Sequence, residues 1–236
     1  MSTLLLIPTP LGDDAMATLP QYVLEVVHTT AHFVVENAKT ARHFLKNAKH
    51  PLPLPILQMV EWNKHERNDA VIATALQWLR EGNDVGILSE AGCPAVADPG
   101  SAVVEAAYSG GFKVMPLVGP SSILLALQAS GMNGQQFAFV GYVSNKSGQL
   151  ANDLKRLEVT SQRLQQTQIF IEAPYRNMNL IASTLQTLSP TTKFCIAANL
   201  TLPNEYIATK TIAEWRKLTI PDLHKQPAIF LLQAAR

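Results

Sequence analysis

Ten short apolar runs rich in Val, Ile, Leu and Phe punctuate the chain, at residues 3–7, 32–35, 56–62, 85–89, 113–118, 137–142, 168–172, 193–198, 205–209 and 228–233. Runs this short, bounded by Gly, Pro, Asn and Asp, predict β-strands. Between several of them the period changes. Val71, Ile72, Ala75, Leu76 and Leu79 repeat as one apolar face of a helix. A second helix is delimited by its ends, with Asp98 as N-cap, Pro99 in the first turn, Val103, Ala106 and Ala107 facing the core, and Gly110-Gly111 as the stop. Alternating strand and helix predicts an α/β fold with a mainly parallel sheet in the N-terminal half. The closely spaced runs 193–198, 205–209 and 228–233 predict antiparallel pairing, and so a mixed sheet, in the C-terminal half.

The bend Met115-Pro-Leu-Val-Gly-Pro120 separates five runs from five. It predicts two α/β lobes, residues 1–117 and 118–236, with a ligand cleft beyond the carboxyl ends of the strands. Composition narrows the choice of function. The chain is 47% hydrophobic and 16% charged, which excludes a solvated coil. No apolar run approaches the roughly 18 residues of a membrane span. The first residues lack the basic start and small-residue cleavage site of an export signal, so a cytoplasmic location is expected. A net charge of +1 leaves no general basic excess, and any nucleic acid must be met through a local patch. Two cysteines without a CxxC pair, and no HExxH string, point to no disulfide framework and no metal.

Four segments carry candidate chemistry, each with a plainer reading beside it. VGILSEAGCPAVADPG (85–100) is a strand releasing a Gly- and Pro-rich loop, suited either to close backbone approach by a ligand or to a tight turn. It contains neither GxxxxGK nor GxGxxG. LIPTPLGD (6–13) is either a cleft-lining loop or a proline-stiffened first turn. In VGPSS (118–122), Ser121 or Ser122 caps the next helix or touches a ligand. IFIEAPYR (169–176) sets Glu172 at a strand end, with Arg176 one turn on and facing outward, as a cleft pair or a surface ion pair.

Taken in order, IPTPLGD, SEAGCPAVADPG, PLVGPSS, FAFVGY and IFIEAPYR resemble the tetrapyrrole methylase superfamily. They are most similar to its ribosomal RNA small subunit methyltransferase I branch, the 2'-O-ribose enzymes, and the likeness runs from Leu4 to Leu232. The resemblance implies a two-lobed α/β fold, S-adenosyl-L-methionine bound in the cleft, a homodimer, and RNA or the small ribosomal subunit as partner. It implies cofactor contacts from Pro8, Ala91, Gly92, Val96, Asp98, Ser121, Ser122, Tyr142, Ala173, Leu200 and Ala228. Displacement at a sulfonium-bound methyl needs orientation more than a reactive side chain, which accounts for the missing triad. A carboxylate can still take the ribose proton, and Glu36, Glu66 and Glu172 stand in matching positions. For each, an acid at a helix N-terminus is the alternative.

The departures fall on the acceptor side. An AEDTR-like string becomes Glu36-Asn37-Ala38-Lys39, with Lys39 replacing arginine and, with Arg176, expected to hold substrate. The arginine and acid around ELT become Ala198 and Asn199, and Lys-Gly-Glu becomes Gln226-Pro227-Ala228. The chain also stops at Arg236, short of a C-terminal extension found in many of the RNA enzymes. Two other functions therefore stay open, methylation of a tetrapyrrole or other small molecule, and cofactor binding without turnover. Lys39, Arg42, His43, Lys46, Lys49 and His50 form a basic helix and tail, either a phosphate-facing stripe or a solvated face.

Overall fold

A computed structural model describes residues 2–62, 68–98, 100–144, 146 and 148–235. The chain divides into two compact units, Met1–Ser121 and Ser122–Arg236. The sequence expectation set the boundary between residues 117 and 118. Residues 117–119 are tied to the first unit, because Leu117 N–H donates to Leu6 O at 3.0 Å and Val118 N–H to the Tyr22 hydroxyl at 2.7 Å.

The first unit contains β1 (Thr3–Ile7), α1 (Gln21–Thr29), β2 (His32–Val35), α2 (Ala38–Asn47), β3 (Gln58–Glu61), α3 (Asp69–Arg80), β4 (Val85–Leu88), α4 (Ser101–Ser109) and β5 (Lys113–Pro116). Its sheet has the order β3-β2-β4-β1-β5 and every pairing is parallel. Strands with apolar side chains on both faces need cover on both, which explains their uninterrupted Val/Ile/Leu character. One face packs Leu5, Ile7, Phe33, Val35 and Leu88 with α1 and α2, and the other packs Leu4, Val34, Val85 and Ile87 with α3 and α4. At Gly86, in the middle of β4, a Cβ atom would lie 2.7 Å from Ile7 Cδ1 and 3.0 Å from Phe33 Cδ1, so the neighbouring side chains occupy the space glycine leaves.

α4 corrects one expectation. Asp98 and Pro99 were expected to cap and open it, yet it begins at Ser101 with Gly100 as N-cap at φ 128°. Pro99 lies outside the described residues. A side chain at Gly100 would need a backbone conformation that L-residues rarely adopt, so tertiary fit overrides the local capping signal. The stop holds, with Gly110 as C-cap and Gly111 at φ 74°.

The second unit contains α5 (Ser122–Ser130), β6 (Phe137–Tyr142), α6 (Gln149–Leu164), β7 (Thr167–Ile171), α7 (Asn177–Thr187), β8 (Lys193–Ala198), β9 (Tyr206–Thr211), α8 (Ile212–Trp215) and β10 (Ala228–Gln233). Its sheet has the order β6-β7-β10-β8-β9. β6 and β7 are parallel, while β10 runs against both β7 and β8, and β8 against β9. The core gathers Phe170, Phe194, Phe230, Leu154, Leu180 and Trp215, whose indole N–H is satisfied by Phe194 O at 2.8 Å.

Candidate functional site

A parallel sheet sends every strand-to-helix loop out of the same edge, and in the first unit those loops are fastened to one another. Thr9, two residues past β1, exchanges backbone hydrogen bonds with Gly92, past β4, at 2.9 and 3.0 Å. The Glu36 carboxylate, one residue past β2 and only 9% exposed, accepts from Glu90 N–H at 3.0 Å. Cys93 Sγ donates to Pro120 O, past β5, at 3.5 Å, and burial pushes its thiol pKa up. Gly119 lies so close to Pro8 that a Cβ atom there would overlap the proline ring. The loop after β4 alternates left-handed residues, Gly92 at φ 78°, Ala95 at 65°, Ala97 at 62° and Gly100 at 128°. For an alanine this conformation costs about 1 kcal/mol or more, and such strain gathers where backbone is presented to a ligand.

Between these loops and α2 opens a cavity of about 410 Å³. Thr9, Leu11, Asp13, Glu90 and Ala91 contribute from the loops, and Asn37, Lys39, Thr40, His43 and Asn47 from the helix. Asn37 is the N-cap of α2, its Oδ1 accepting from Lys39 N–H and Thr40 N–H at 2.9 and 3.2 Å, while Glu61 accepts from Ala38 N–H at 3.0 Å. The donors of that first turn are therefore taken, and the polar walls of the cavity are side chains and loop backbone. His43 Nε2 stands 3.6 Å from Asp13 Oδ1.

In the second unit the reversal of β10 brings the ends of β6, β7 and β8 and the beginning of β10 to one edge. Tyr142, Ala173, Leu200 and Ala228 all stand there. Gly141 at φ 73° and a register shift between Phe139 and Tyr142 turn Tyr142 outward, 67% exposed. Glu172 is buried, accepting from Ala173 N–H at 2.7 Å and lying 3.5 Å from Arg176 Nε. Arg176, expected to face outward, instead turns back on this carboxylate and over the Tyr175 ring. Both residues line a second cavity of about 410 Å³ with Ser144, Lys146, Asn179 and Ser183.

The residues expected to hold cofactor divide between the two units, and of them only Ala91 lines the first cavity and none the second. Pro8, Ala91, Gly92, Val96, Asp98 and Ser121 belong to the first unit, and Ser122, Tyr142, Ala173, Leu200 and Ala228 to the second. Of the candidate acids, Glu36 and Glu172 each anchor a neighbouring loop amide, and Glu66 lies outside the described residues. Sequence reading missed Asn37, Lys146 and Asn179, and held Thr9 and His43 only within the LIPTPLGD loop and the basic row. Of those missed, only Asn37 carried a signal, an Asn one residue ahead of a helical repeat.

The departures around Asn199 prove to be coupled. Asn199 (φ 51°, buried) donates from Nδ2 to Gln226 Oε1, and its backbone N–H to Pro227 O at 3.0 Å. Gln226 O in turn accepts from the buried Asn177 Nδ2 at 2.7 Å. The two amides standing where the resemblance implies an acid and a lysine thus bond to each other, and neither is left unpaired.

The family profile described as Tetrapyrrole (Corrin/Porphyrin) Methylases matches residues 3–215. The chain belongs to this family, and it is an S-adenosylmethionine-dependent methyltransferase. It is 31% identical over 209 residues to the ribosomal RNA small subunit methyltransferase I of Mesorhizobium japonicum, covering 89% of this chain and 67% of that one. The protein of the same name in Bacillus subtilis is 28% identical over 215 residues, covering 91% and 69%. Among solved structures, the methyltransferase CobJ superposes with a TM-score of 0.64 at 18% identity, covering 99% of this chain and 94% of that one. Cobalt precorrin-4 methyltransferase, CbiF, superposes with a TM-score of 0.56 at 14% identity, covering 98% and 94%. At such identities these two speak for the fold.

Proposed function

We propose that this methyltransferase modifies a ribose 2'-hydroxyl of small-subunit ribosomal RNA. The observation that carries this reading is the match over about nine-tenths of the chain to relatives named ribosomal RNA small subunit methyltransferase I, and the ribose 2'-hydroxyl follows from the resemblance to the 2'-O-ribose branch. Several features make a methyl-donor site plausible on this scaffold. Gly119 and Gly92 sit where side chains would intrude, and left-handed residues expose loop N–H and C=O groups to which a nucleoside and an amino-acid moiety can bond. When bound, S-adenosylmethionine supplies a methyl carbon already activated by a sulfonium. The protein then has to hold the acceptor oxygen in line and take its proton, and orientation alone is worth about 7–11 kcal/mol. Glu36 and Glu172 are the described candidates for receiving that proton, each having committed one oxygen to a loop amide that fixes its direction. Lys39 and Arg176 are the candidates for holding substrate, each lining one of the two cavities. The reading carries with it a cytoplasmic homodimer. No helix among the described residues is long and apolar enough to cross a membrane.

The deciding experiment incubates the protein with labelled S-adenosylmethionine and, in parallel, small ribosomal subunits, free ribosomal RNA and a tetrapyrrole. Label in the subunit, recovered as an alkali-resistant dinucleotide, is expected, since a 2'-methoxy group blocks hydrolysis of the adjoining phosphodiester. Label in the tetrapyrrole alone, or in no acceptor, overturns the reading.

A further inference from the structure

Residues 39–49 hold Lys39, Arg42, Lys46 and Lys49 and not one Asp or Glu, while the rest of the chain carries 15 Lys and Arg against 18 acids. The single positive charge of the protein therefore hides a local excess. Ala41, Phe44 and Leu45 bury one face of α2, Lys39, Arg42 and Lys46 lie on the opposite, exposed side, and Lys49, also exposed, follows two residues past the helix end at φ 55°. At 1.5 Å per residue the three helical cations span about 10 Å. None of the four forms an ion pair with a described residue. Of the acids beside the helix, Glu61 accepts from Ala38 N–H and Asp13 Oδ1 stands 3.6 Å from His43 Nε2. His50, one residue past Lys49, is not part of the row, because its ring accepts from Leu52 N–H and bonds Thr30 O.

Helix stability does not account for this arrangement. Cations favour a helix C-terminus, which suits Lys46 and Lys49, but Lys39 sits in the first turn where the dipole opposes it. The Arg42–Lys46 and Lys39–Arg42 spacings also place like charges side by side. The row adjoins the first cavity, since Thr40, His43 and Asn47 on the next flank of α2 line it and Lys39 belongs to both.

We propose that Lys39, Arg42, Lys46 and Lys49 form a track for the RNA phosphate backbone, running along α2 to the mouth of the cavity. The proposal rests on the RNA reading above and supplies the local patch that a near-neutral protein needs to hold a polyanion. Each contacted phosphate releases counterions, so the track has a salt signature that a merely solvated face lacks.

The test is the salt dependence of affinity for a short single-stranded RNA, measured by fluorescence anisotropy between about 50 and 200 mM salt. It compares the unaltered protein, an Arg42→Glu/Lys46→Glu/Lys49→Glu variant and a milder Arg42→Gln/Lys46→Gln/Lys49→Gln variant. A Lys155→Glu/Arg156→Glu/Arg163→Glu variant, on α6 of the second unit, makes the same change in net charge elsewhere. For three phosphates on a single strand, the slope of log affinity against log salt should flatten by about two in both α2 variants. Affinity at low salt should fall about tenfold or more, with S-adenosylmethionine affinity unchanged. An unaltered slope, or an equal change in the α6 variant, overturns the track. Normal methylation of small ribosomal subunits by the Glu variant also overturns it and leaves the RNA reading standing. A wild-type protein that neither binds nor methylates RNA brings down both.

Discussion

In the first unit all five strands point one way, and the loops leaving their common edge are joined at backbone atoms, Thr9 pairing with Gly92, the Glu36 carboxylate and Cys93 Sγ reaching the Glu90 amide and Pro120 O, and Gly119 lying close against Pro8. In the second unit β10 enters its edge from the opposite direction, and beside backbone bonds such as Asn199 N–H to Pro227 O the turns there share a chain of side-chain amides, Asn177, Asn199 and Gln226. The difference has a consequence for sequence change. An edge fastened by main chain depends on unusual torsions and on the absence of side chains, so single residues are fixed one at a time. An edge that also relies on side chains tolerates replacement when the two partners of a bond still suit each other, as Asn199 and Gln226 do.

The sharpest way to break that contrast is Gly119→Val. The new side chain displaces Pro8 and with it the loop after β1, so calorimetry should detect no S-adenosylmethionine binding, and stability should fall by about 1–3 kcal/mol. Gly134→Val in the second unit, where a Cβ meets nothing within 4 Å, should change the denaturant midpoint by less than about 0.5 kcal/mol. Equal effects of the two would dissolve the distinction. A smaller effect is expected at the amide pair. Gln226→Ala leaves the buried Asn199 amide without its acceptor and should cost about 1–2 kcal/mol in urea unfolding. The Asn199→Ala/Gln226→Ala double variant should cost less than the sum of its singles, and strict additivity would show that the pair is not coupled.

The smallest effect concerns His32, which begins β2 and packs against Trp78 at 5.0 Å between ring centroids. Burial lowers its pKa, with Glu81 opposing. The unfolded chain takes up this proton at higher pH than the folded one. The contribution of the neutral ring is therefore present above the ordinary value of 6.5 and is lost as pH falls below it. Acidification from about pH 7 to 5.5 should lower Tm more in the wild type than in His32→Gln, and the reverse order would mean that the ring is stabilised in its charged form.

The strands were legible because buried parallel strands must be apolar on both faces, and the runs at 3–7, 32–35 and 85–88 admit few other readings. So was the mixed second sheet, from the short spacing of its last three strands. The start of α4 was misread because Asp98-Pro99 offers a local cap, whereas Gly100 is selected by a torsion that only the packed loop imposes. The first cavity was legible only in part. Thr9, Ala91 and Lys39 sit in recognisable strings, but that Thr9 and Asn37, 28 positions apart, line one cavity depends on strand register, which no local pattern records.

That register has its own lock. Alternating faces specify how β4 aligns with β1 and β2 only to within a two-residue slide, because such a slide returns every side chain to the same face. Gly86 removes the ambiguity. Sliding the strand by two would bring the Leu88 side chain into volume already filled by Ile7 and Phe33. One missing methyl group in the interior thereby fixes how far the chain has travelled when it emerges at Ser89, and so which residue of that loop arrives opposite Thr9.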